Sequence, residues 1–182
     1  RPNEIYAPTR VTLIASQRPV CALSGLKGGI LAAIGILSDP DVNTVLSHMD
    51  QVLAAWTQKS DPAASAERMA ATLNEIYRYL GQRKSQHSTT PARTPVIDWN
   101  VITARYQAQP CIWDKQHKRL WCPQHVFGHV PPFMASRRGV IREEDAAVRS
   151  GMELLGCSDS PGWNDLCSFL EDLREKARVG RL

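Results

Sequence analysis

Two runs of apolar residues at helical spacing dominate the first half of the chain. They recur every three or four positions, which places them on one face of an α-helix. Ser38 or Asp39 is the expected N-cap of the first helix and Pro40 lies in its first turn, while Asp61 and Pro62 precede the second helix. The two stripes predict an antiparallel helical hairpin: Val42, Val45, Leu46, Met49, Val52, Leu53 and Trp56, then Met69, Leu73, Ile76, Tyr77 and Leu80.

A polar segment follows the second stripe. The sequence GQRKSQHSTTPARTPV, which begins at Gly81, contains almost nothing that a core could bury. Its Ser, Thr, Pro and charged residues are typical of a loop or linker. We therefore divide the chain into a helical half at residues 1–84, a flexible linker or loop at 85–96, and a second half at 97–182. We expect the two halves to form one compact unit.

The second half opens with a pattern that predicts a β-hairpin. Two short runs, PCIW and RLWC, contain aromatic and β-branched residues and flank the polar segment DKQHK. A turn centred between Gln116 and His117 would pair three sets of residues across the strands: Cys111 with Cys122, Ile112 with Trp121, and Trp113 with Leu120. Directly opposed residues share a face, so this register gives the ribbon one almost wholly apolar side.

Two further helices are expected after the hairpin. Val148, Met152 and Leu155 form a stripe that ends at Gly156, a residue suited to the position after a helix C-cap. The next helix is expected to begin at Ser160 with Pro161 in its first turn, and to bury five apolar residues in the core: Trp163, Leu166, Phe169, Leu170 and Leu173. The fold class is therefore mainly α with a small β-hairpin, arranged as a helical hairpin followed by the β-hairpin and two helices.

Composition and charge narrow the classes of function. Hydrophobic residues make up 43% and charged residues 22% of the chain, and the formal net charge of +4 is spread along it, which does not predict nucleic-acid binding. No apolar run reaches the roughly 20 residues of a membrane helix, and the first residues resemble no signal peptide. Five irregularly spaced cysteines favour a reducing, cytoplasmic location. Because the chain opens without methionine, we expect it to be a piece of a longer protein.

The cysteines and histidines of the second half suggest two kinds of chemistry. Cys111, Cys122, His125 and His129 could bind zinc, with the two histidines on one helix face, but structural sites usually pair their ligands two to four residues apart. A nucleophilic Cys122 or Cys157 with a histidine base has no local signature. The sequence therefore favours reduced cysteines packed beside tryptophans, with zinc as the alternative. His48, in the first helical stripe, is expected at the surface or rim.

Six short segments, taken together and in order, resemble the sacsin family. EIYAP at 4–8 is similar to its Glu-Leu-Tyr-Asp-Pro, AIGI at 33–36 to its Leu-Gly-hydrophobic helix end, and IYRYL at 76–80 to its Ile-Tyr-x-Phe-Leu. PCIWDKQHKRLWCPQHV resembles its Pro-Cys-Ile-Trp hairpin. PPF at 131–133 and LLGC at 154–157 continue the order. The chain departs from the family pattern at Ala7, at Cys122 and in its long polar linker.

The resemblance implies a helical segment of a giant cytosolic scaffold linked to chaperones. Such proteins carry a domain resembling a chaperone ATPase, but this chain shows none of that domain's nucleotide motifs, so we expect no enzyme activity and no cofactor. Partners would be other proteins or neighbouring repeats of the same chain, with no membrane partner and no nucleic acid. Trp113, Arg119 and Trp121 of the hairpin are the candidate binding residues, while the apolar flanks of Trp113 and Trp121 favour burial of these two rings in the core.

Overall fold

The computed structural model describes residues 5–7, 11–18, 20, 28–33, 39–57, 62–87 and 97–179. The helices of the first half are α1 (Val11–Ile14), α2 (Gly28–Ala33), α3 (Val42–Thr57) and α4 (Pro62–His87). The second half contains α5 (Trp99–Tyr106), β1 (Ile112–Asp114), β2 (Arg119–Trp121), β3 (Val126–Phe127), β4 (Gly139–Val140), α6 (Ala146–Leu154) and α7 (Trp163–Arg178). Short 3₁₀ turns at Pro123–His125 and Pro132–Met134 precede β3 and β4. The protein is mainly helical with a small β-hairpin, as the sequence predicts.

Helices α3 and α4 form the predicted hairpin. All five residues of the second apolar stripe are buried, and five of the seven in the first are buried while Val52 and Trp56 are partly covered. The hydroxyl of Tyr79, near the end of α4, donates a hydrogen bond to the carbonyl of Pro40, just before α3. The end of one helix therefore lies beside the start of the other, so that the two run antiparallel.

The N-cap of α3 differs from the predicted one. The carboxylate of Asp41 accepts hydrogen bonds from the backbone N–H of Thr44 at 2.9 Å and from its hydroxyl at 2.5 Å. Asp41 therefore satisfies an end group of the helix in the manner of an N-cap. The prediction of Asp39 as the N-cap was wrong, because Asp41 stands immediately before the first helical residue. Ser38, the other predicted cap, lies outside the described residues.

Helix α4 extends beyond the predicted end of the first half. It ends at His87, so residues 85–87 are helical and their assignment to the linker was wrong. Gln82, Arg83 and Lys84 are good helix formers, and the hydroxyl of Ser85 donates to the carbonyl of Gly81 at 3.0 Å. The rest of the predicted linker, residues 88–96, lies outside the described residues.

The β-hairpin has the predicted register. Ile112 pairs with Trp121 and Trp113 with Leu120 in an antiparallel ladder. Beyond the paired strands, the N–H of Cys111 donates to the carbonyl of Trp121 at 3.0 Å. The second sheet, which the sequence analysis did not anticipate, pairs β3 with β4 in parallel.

The predictions for the two C-terminal helices, the end of α6 and the start of α7, had different outcomes. Helix α6 ends in a Schellman motif: Gly156 has a φ of 114° and donates to the carbonyl of Glu153 at 3.0 Å, and Cys157 donates to that of Met152 at 3.2 Å. The predicted role of Gly156 is thus confirmed. Helix α7 is capped at Gly162 instead of Ser160, because the carboxylate of Asp165 accepts a hydrogen bond from the Gly162 N–H at 2.8 Å.

Helix α7 is not the core helix that its apolar stripe predicts. Phe169 is buried, but Trp163 is 76% exposed and Leu170 is 60% exposed, while Leu166 and Leu173 are half-buried. The five apolar residues cover a wide arc of the helix, and only the part centred on Phe169 faces the rest of the protein. The prediction that all five are core residues was therefore wrong.

The core includes residues from both sides of the linker. Helices α4 and α6 cross so closely that a Cβ on Gly81 would lie 2.0 Å from the carbonyl oxygen of Ala147, and one on Gly151 only 1.9 Å from that of Tyr77. Two glycines, one on each helix, permit this approach. The hydroxyl of Tyr77 also donates to the carbonyl of Cys111 at 2.5 Å, which links α4 to the base of the hairpin.

Candidate functional site: the groove beside the β-hairpin

The turn of the hairpin is organised by one carboxylate, that of Asp114. It accepts hydrogen bonds from the N–H of Gln116 at 2.9 Å, from the N–H of His117 at 3.2 Å and from the indole of Trp121 at 3.0 Å. The Nδ1 of His117 lies 2.6 Å from the same carboxylate. Burial alone would raise the pKa of Asp114, but these hydrogen bonds outweigh it and lower the pKa. The carboxylate is therefore ionised at neutral pH and orients Trp121.

Arg119 and Trp121 stack on one face of strand β2. They are two residues apart on β2 and so lie on the same face, where the Arg119 guanidinium stands 3.7 Å from the centre of the Trp121 ring. Arg119 is exposed and Trp121 is half-buried. On its other side Trp121 contacts β4, since a Cβ on Gly139 would lie 3.1 Å from the indole. These two predicted binding residues are thus adjacent and accessible.

Trp113, the third predicted binding residue, lies in the core. Its side chain is only 9% exposed and contacts Trp56 of α3 edge to face, with ring centres 5.4 Å apart. It therefore attaches the hairpin to α3 and presents little surface to a partner.

A groove of about 70 Å³ lies beside the hairpin. We call it the hairpin groove. Residues 112–116 and Trp121 line one part of it, residues 139–143 line another, and Asn74, Val126 and Met152 complete it. Lys115 and Glu143 form an ion pair of 3.5 Å between the hairpin and the segment after β4, in which the Lys115 side chain is 68% exposed and that of Glu143 is 25% exposed. The groove thus combines an aromatic wall with charged residues.

The four candidate zinc ligands have different surroundings. Cys111 is fully buried, with Sγ 4.0 Å from the carbonyl oxygen of Tyr106, whereas the half-buried Cys122 donates to the carbonyl of Ala108 at 3.2 Å. His125 ends a 3₁₀ turn and His129 lies beyond β3, so the expectation that they share a helix face was wrong. Pro123 and Gly128 explain this, because neither favours a continuous helix.

No metal-binding group is formed within the described part of the chain. No three His, Cys, Asp or Glu side chains of that part lie together in an arrangement that could hold a metal ion. Cys111, Cys122, His125 and His129 all belong to it.

The cysteines near the hairpin are poor candidates for nucleophiles. Burial raises the pKa of Cys111, of Cys122 and of Cys157. Because the thiolate is the reactive form, a raised pKa lowers the population that could attack a substrate at neutral pH. These thiols behave as small apolar side chains.

Sequence reasoning missed two buried polar residues, His48 and Arg138. His48 is only 6% exposed, which corrects its expected surface position, and its ring nitrogens contact Ser16 and Thr12 of the α1 region. Arg138 is 7% exposed and lies over the ring of Phe169, with its guanidinium 5.6 Å from the ring centre. The apolar neighbours Leu46 and Met49 were a signal that His48 is buried, whereas no local pattern indicates the burial of Arg138.

Comparison of the chain with protein-family models, with curated proteins and with solved structures gives no match in any of the three. None of the helices in the described ranges is long and apolar enough to cross a membrane.

Proposed function

We propose that this chain is a non-catalytic helical module of a larger, sacsin-like scaffold that supports protein folding or quality control in the cytoplasm. It acts through contacts with other proteins or with neighbouring repeats. The six ordered segments that resemble the sacsin family support the parent scaffold. The raised pKa values of Cys111, Cys122 and Cys157 support a role without nucleophilic catalysis.

The observation that carries the proposal is the accessible Arg119–Trp121 stack beside the hairpin groove. Arginine and tryptophan are enriched among the residues that dominate binding energy at protein interfaces. Asp114 and Gly139 hold Trp121 in place from two sides, so the ring is ordered before a partner arrives. Preorganisation of this kind reduces the entropy that binding costs. The stack therefore suits a protein contact.

The test is suppression of aggregation of a chemically denatured model protein, measured by light scattering after dilution into buffer. We expect the purified protein to reduce scattering, and Arg119→Ala and Trp121→Ala to weaken that effect at least about fivefold, as for residues that each contribute about 1 kcal/mol or more to binding. Trp163→Ala is the matched control, because Trp163 is an exposed tryptophan on α7. Equal protection by all variants, or none by the wild type, would contradict the proposal.

A further inference from the structure

The outer edge of β4 carries backbone groups that the described fold does not use. In the parallel pair, Phe127 lies opposite Val140, and the N–H of Ile141 donates to the carbonyl of Phe127 at 2.8 Å. Alternate residues of a strand direct their N–H and C=O groups to opposite sides. The N–H and C=O of Val140 therefore point away from β3, and neither has a hydrogen-bond partner among the described residues.

The other edge of this small sheet is already occupied. Gly128 donates to the carbonyl of Ser158 at 2.9 Å, and Ser158 donates to that of Val126 at 3.3 Å. These bonds place Ser158 beside β3 on the side opposite β4. An additional strand can therefore join the sheet only at β4.

The open edge borders the hairpin groove. Val140 lines the groove together with Trp121, whose ring covers Gly139. The groove's volume of about 70 Å³ exceeds the roughly 15 Å³ that a water molecule needs. It has room for one small aliphatic side chain. A strand lying on β4 would direct alternate side chains to one face, where one of them could enter the groove.

The charges around the groove favour an acidic partner. Among its acidic residues, Asp114 is engaged by His117 and Trp121, and Glu143 is paired with Lys115. Arg142 is exposed, and so are Arg119 on the stack and Lys118 in the hairpin turn. Glu144, next along the chain, is an exposed acid; like Lys118 and Arg119, it lies outside the groove's lining. The solvent-facing charge at the groove is therefore mainly positive.

We infer that an extended, acidic peptide segment of a partner protein docks on the edge of β4 as an added strand, with one small aliphatic side chain in the hairpin groove. Main-chain hydrogen bonds to Val140 supply affinity, while the groove and the cations around it select the side chains. This inference rests on the proposed function, because it names the partner of the same surface.

The probe is a fluorescein-labelled peptide, Glu-Asp-Thr-Val-Thr-Asp-Glu, measured by fluorescence anisotropy. We expect saturable binding that weakens as salt is added, since the charged groups are solvent-exposed. One control copy carries N-methyl groups on the amides of the central valine and the following threonine, so it cannot pair through either edge. A second control copy has lysine in place of every acidic residue, which reverses the charge of the peptide. Both copies should bind at least about tenfold more weakly, the effect of roughly 1.4 kcal/mol.

A proline substitution in β4 tests the same contact by changing the protein instead of the peptide. The N–H of Val140 is not used within the described fold, so Val140→Pro removes an edge donor while the bonds of Gly139 and Ile141 to β3 can remain. Val140→Ala is the matched control, because it keeps the N–H. We expect the proline variant to bind the peptide about tenfold more weakly and the alanine variant within about twofold of the wild type.

Three results would overturn the inference: no saturable binding by the wild type, equal binding of the N-methylated copy, or equal binding of the lysine copy. The N-methylated peptide tests strand pairing on the wild-type protein, so the inference stays testable even if the proline variant unfolds in a thermal melt. Loss of peptide binding together with intact protection by the Arg119–Trp121 stack would refute this partner and leave the proposed function standing. Peptide binding without any protection would refute the proposed function.

Discussion

At the residue scale, the buried His48 links the N-terminal segment to α3. Its Nε2 lies 3.1 Å from the carbonyl oxygen of Thr12, and its Nδ1 lies 2.5 Å from the hydroxyl of Ser16. A carbonyl can only accept, so Nε2 carries the proton of the neutral ring and Nδ1 accepts from Ser16. Burial lowers the pKa of His48, and the hydrogen bond to Thr12 only partly opposes this. The neutral ring is thus the form that suits the folded protein.

This arrangement makes stability depend on pH in a defined direction. Because the pKa of His48 is lower in the folded than in the unfolded chain, the unfolded chain binds the proton first as the pH falls. The stabilisation is complete above about pH 6.5 and is lost as the pH falls through the lowered value. We expect the urea midpoint of the wild type to fall more between pH 7.5 and pH 5 than that of His48→Gln.

The pH experiment has an internal control. Burial and the charge of Arg138 also lower the pKa of His125, so this residue contributes in the same direction. Both proteins in the comparison retain it, and His125→Gln measures its share separately. An identical pH dependence of the wild type and His48→Gln would show that His48 does not supply the effect.

At the element scale, the long helices were predictable because their buried residues recur at helical spacing along the sequence. The stripes of α3 and α4 meet each other and α6, so apolar spacing and core position agree. The apolar stripe of α7 has the same character, yet Trp163 and Leu170 are exposed. An apolar stripe indicates that a helix face can be buried, but it does not indicate which neighbours cover that face. Whether the face is buried therefore depends on the position of the helix in the fold.

The candidate site was only partly predictable for similar reasons. The hairpin register followed from the opposed aromatic and β-branched residues and from the polar turn, in which Asp114 binds two backbone N–H groups. The accessibility of Arg119 and Trp121 did not follow from that register, because the sequence favoured burial of both tryptophans. The two-residue strand β4 is too short to show an alternating pattern, and Val140 becomes an edge only through its pairing with β3.

The crossing of α4 and α6 is the contact most sensitive to one added methyl group. A Cβ at Gly151 would lie 1.9 Å from the carbonyl oxygen of Tyr77, which belongs to the backbone of the facing helix and cannot rotate away. We expect Gly151→Ala to lower the free energy of unfolding by about 3 kcal/mol, since separating the two helices costs more than the improved helix propensity of alanine returns. Urea denaturation measures this change.

Gly29→Ala is the matched control for the crossing. Among the residues that the structure describes, nothing lies within 4 Å of a Cβ at Gly29 in α2. Its substitution should leave stability unchanged or raise it by up to about 1 kcal/mol, the difference in helix propensity. If Gly151→Ala were as well tolerated as Gly29→Ala, the close approach of α4 and α6 would not contribute to stability.

At the scale of the whole molecule, the packing of α4 on α6 predicts that the two halves unfold together. Tyr77, Leu80, Val148 and Met152 belong to one buried cluster, although the linker separates them in sequence. Exposing one half would uncover the apolar face of the other, so neither half should melt alone. We expect one calorimetric transition, with equal calorimetric and van't Hoff enthalpies, and Gly151→Ala should lower its temperature without splitting it. Two transitions would show that the halves unfold separately.

A chelator should leave the transition in place, because the apolar packing of Cys111 requires no metal. About one bound zinc per chain, with a chelator-dependent loss of stability, would instead support the zinc alternative at the base of the hairpin.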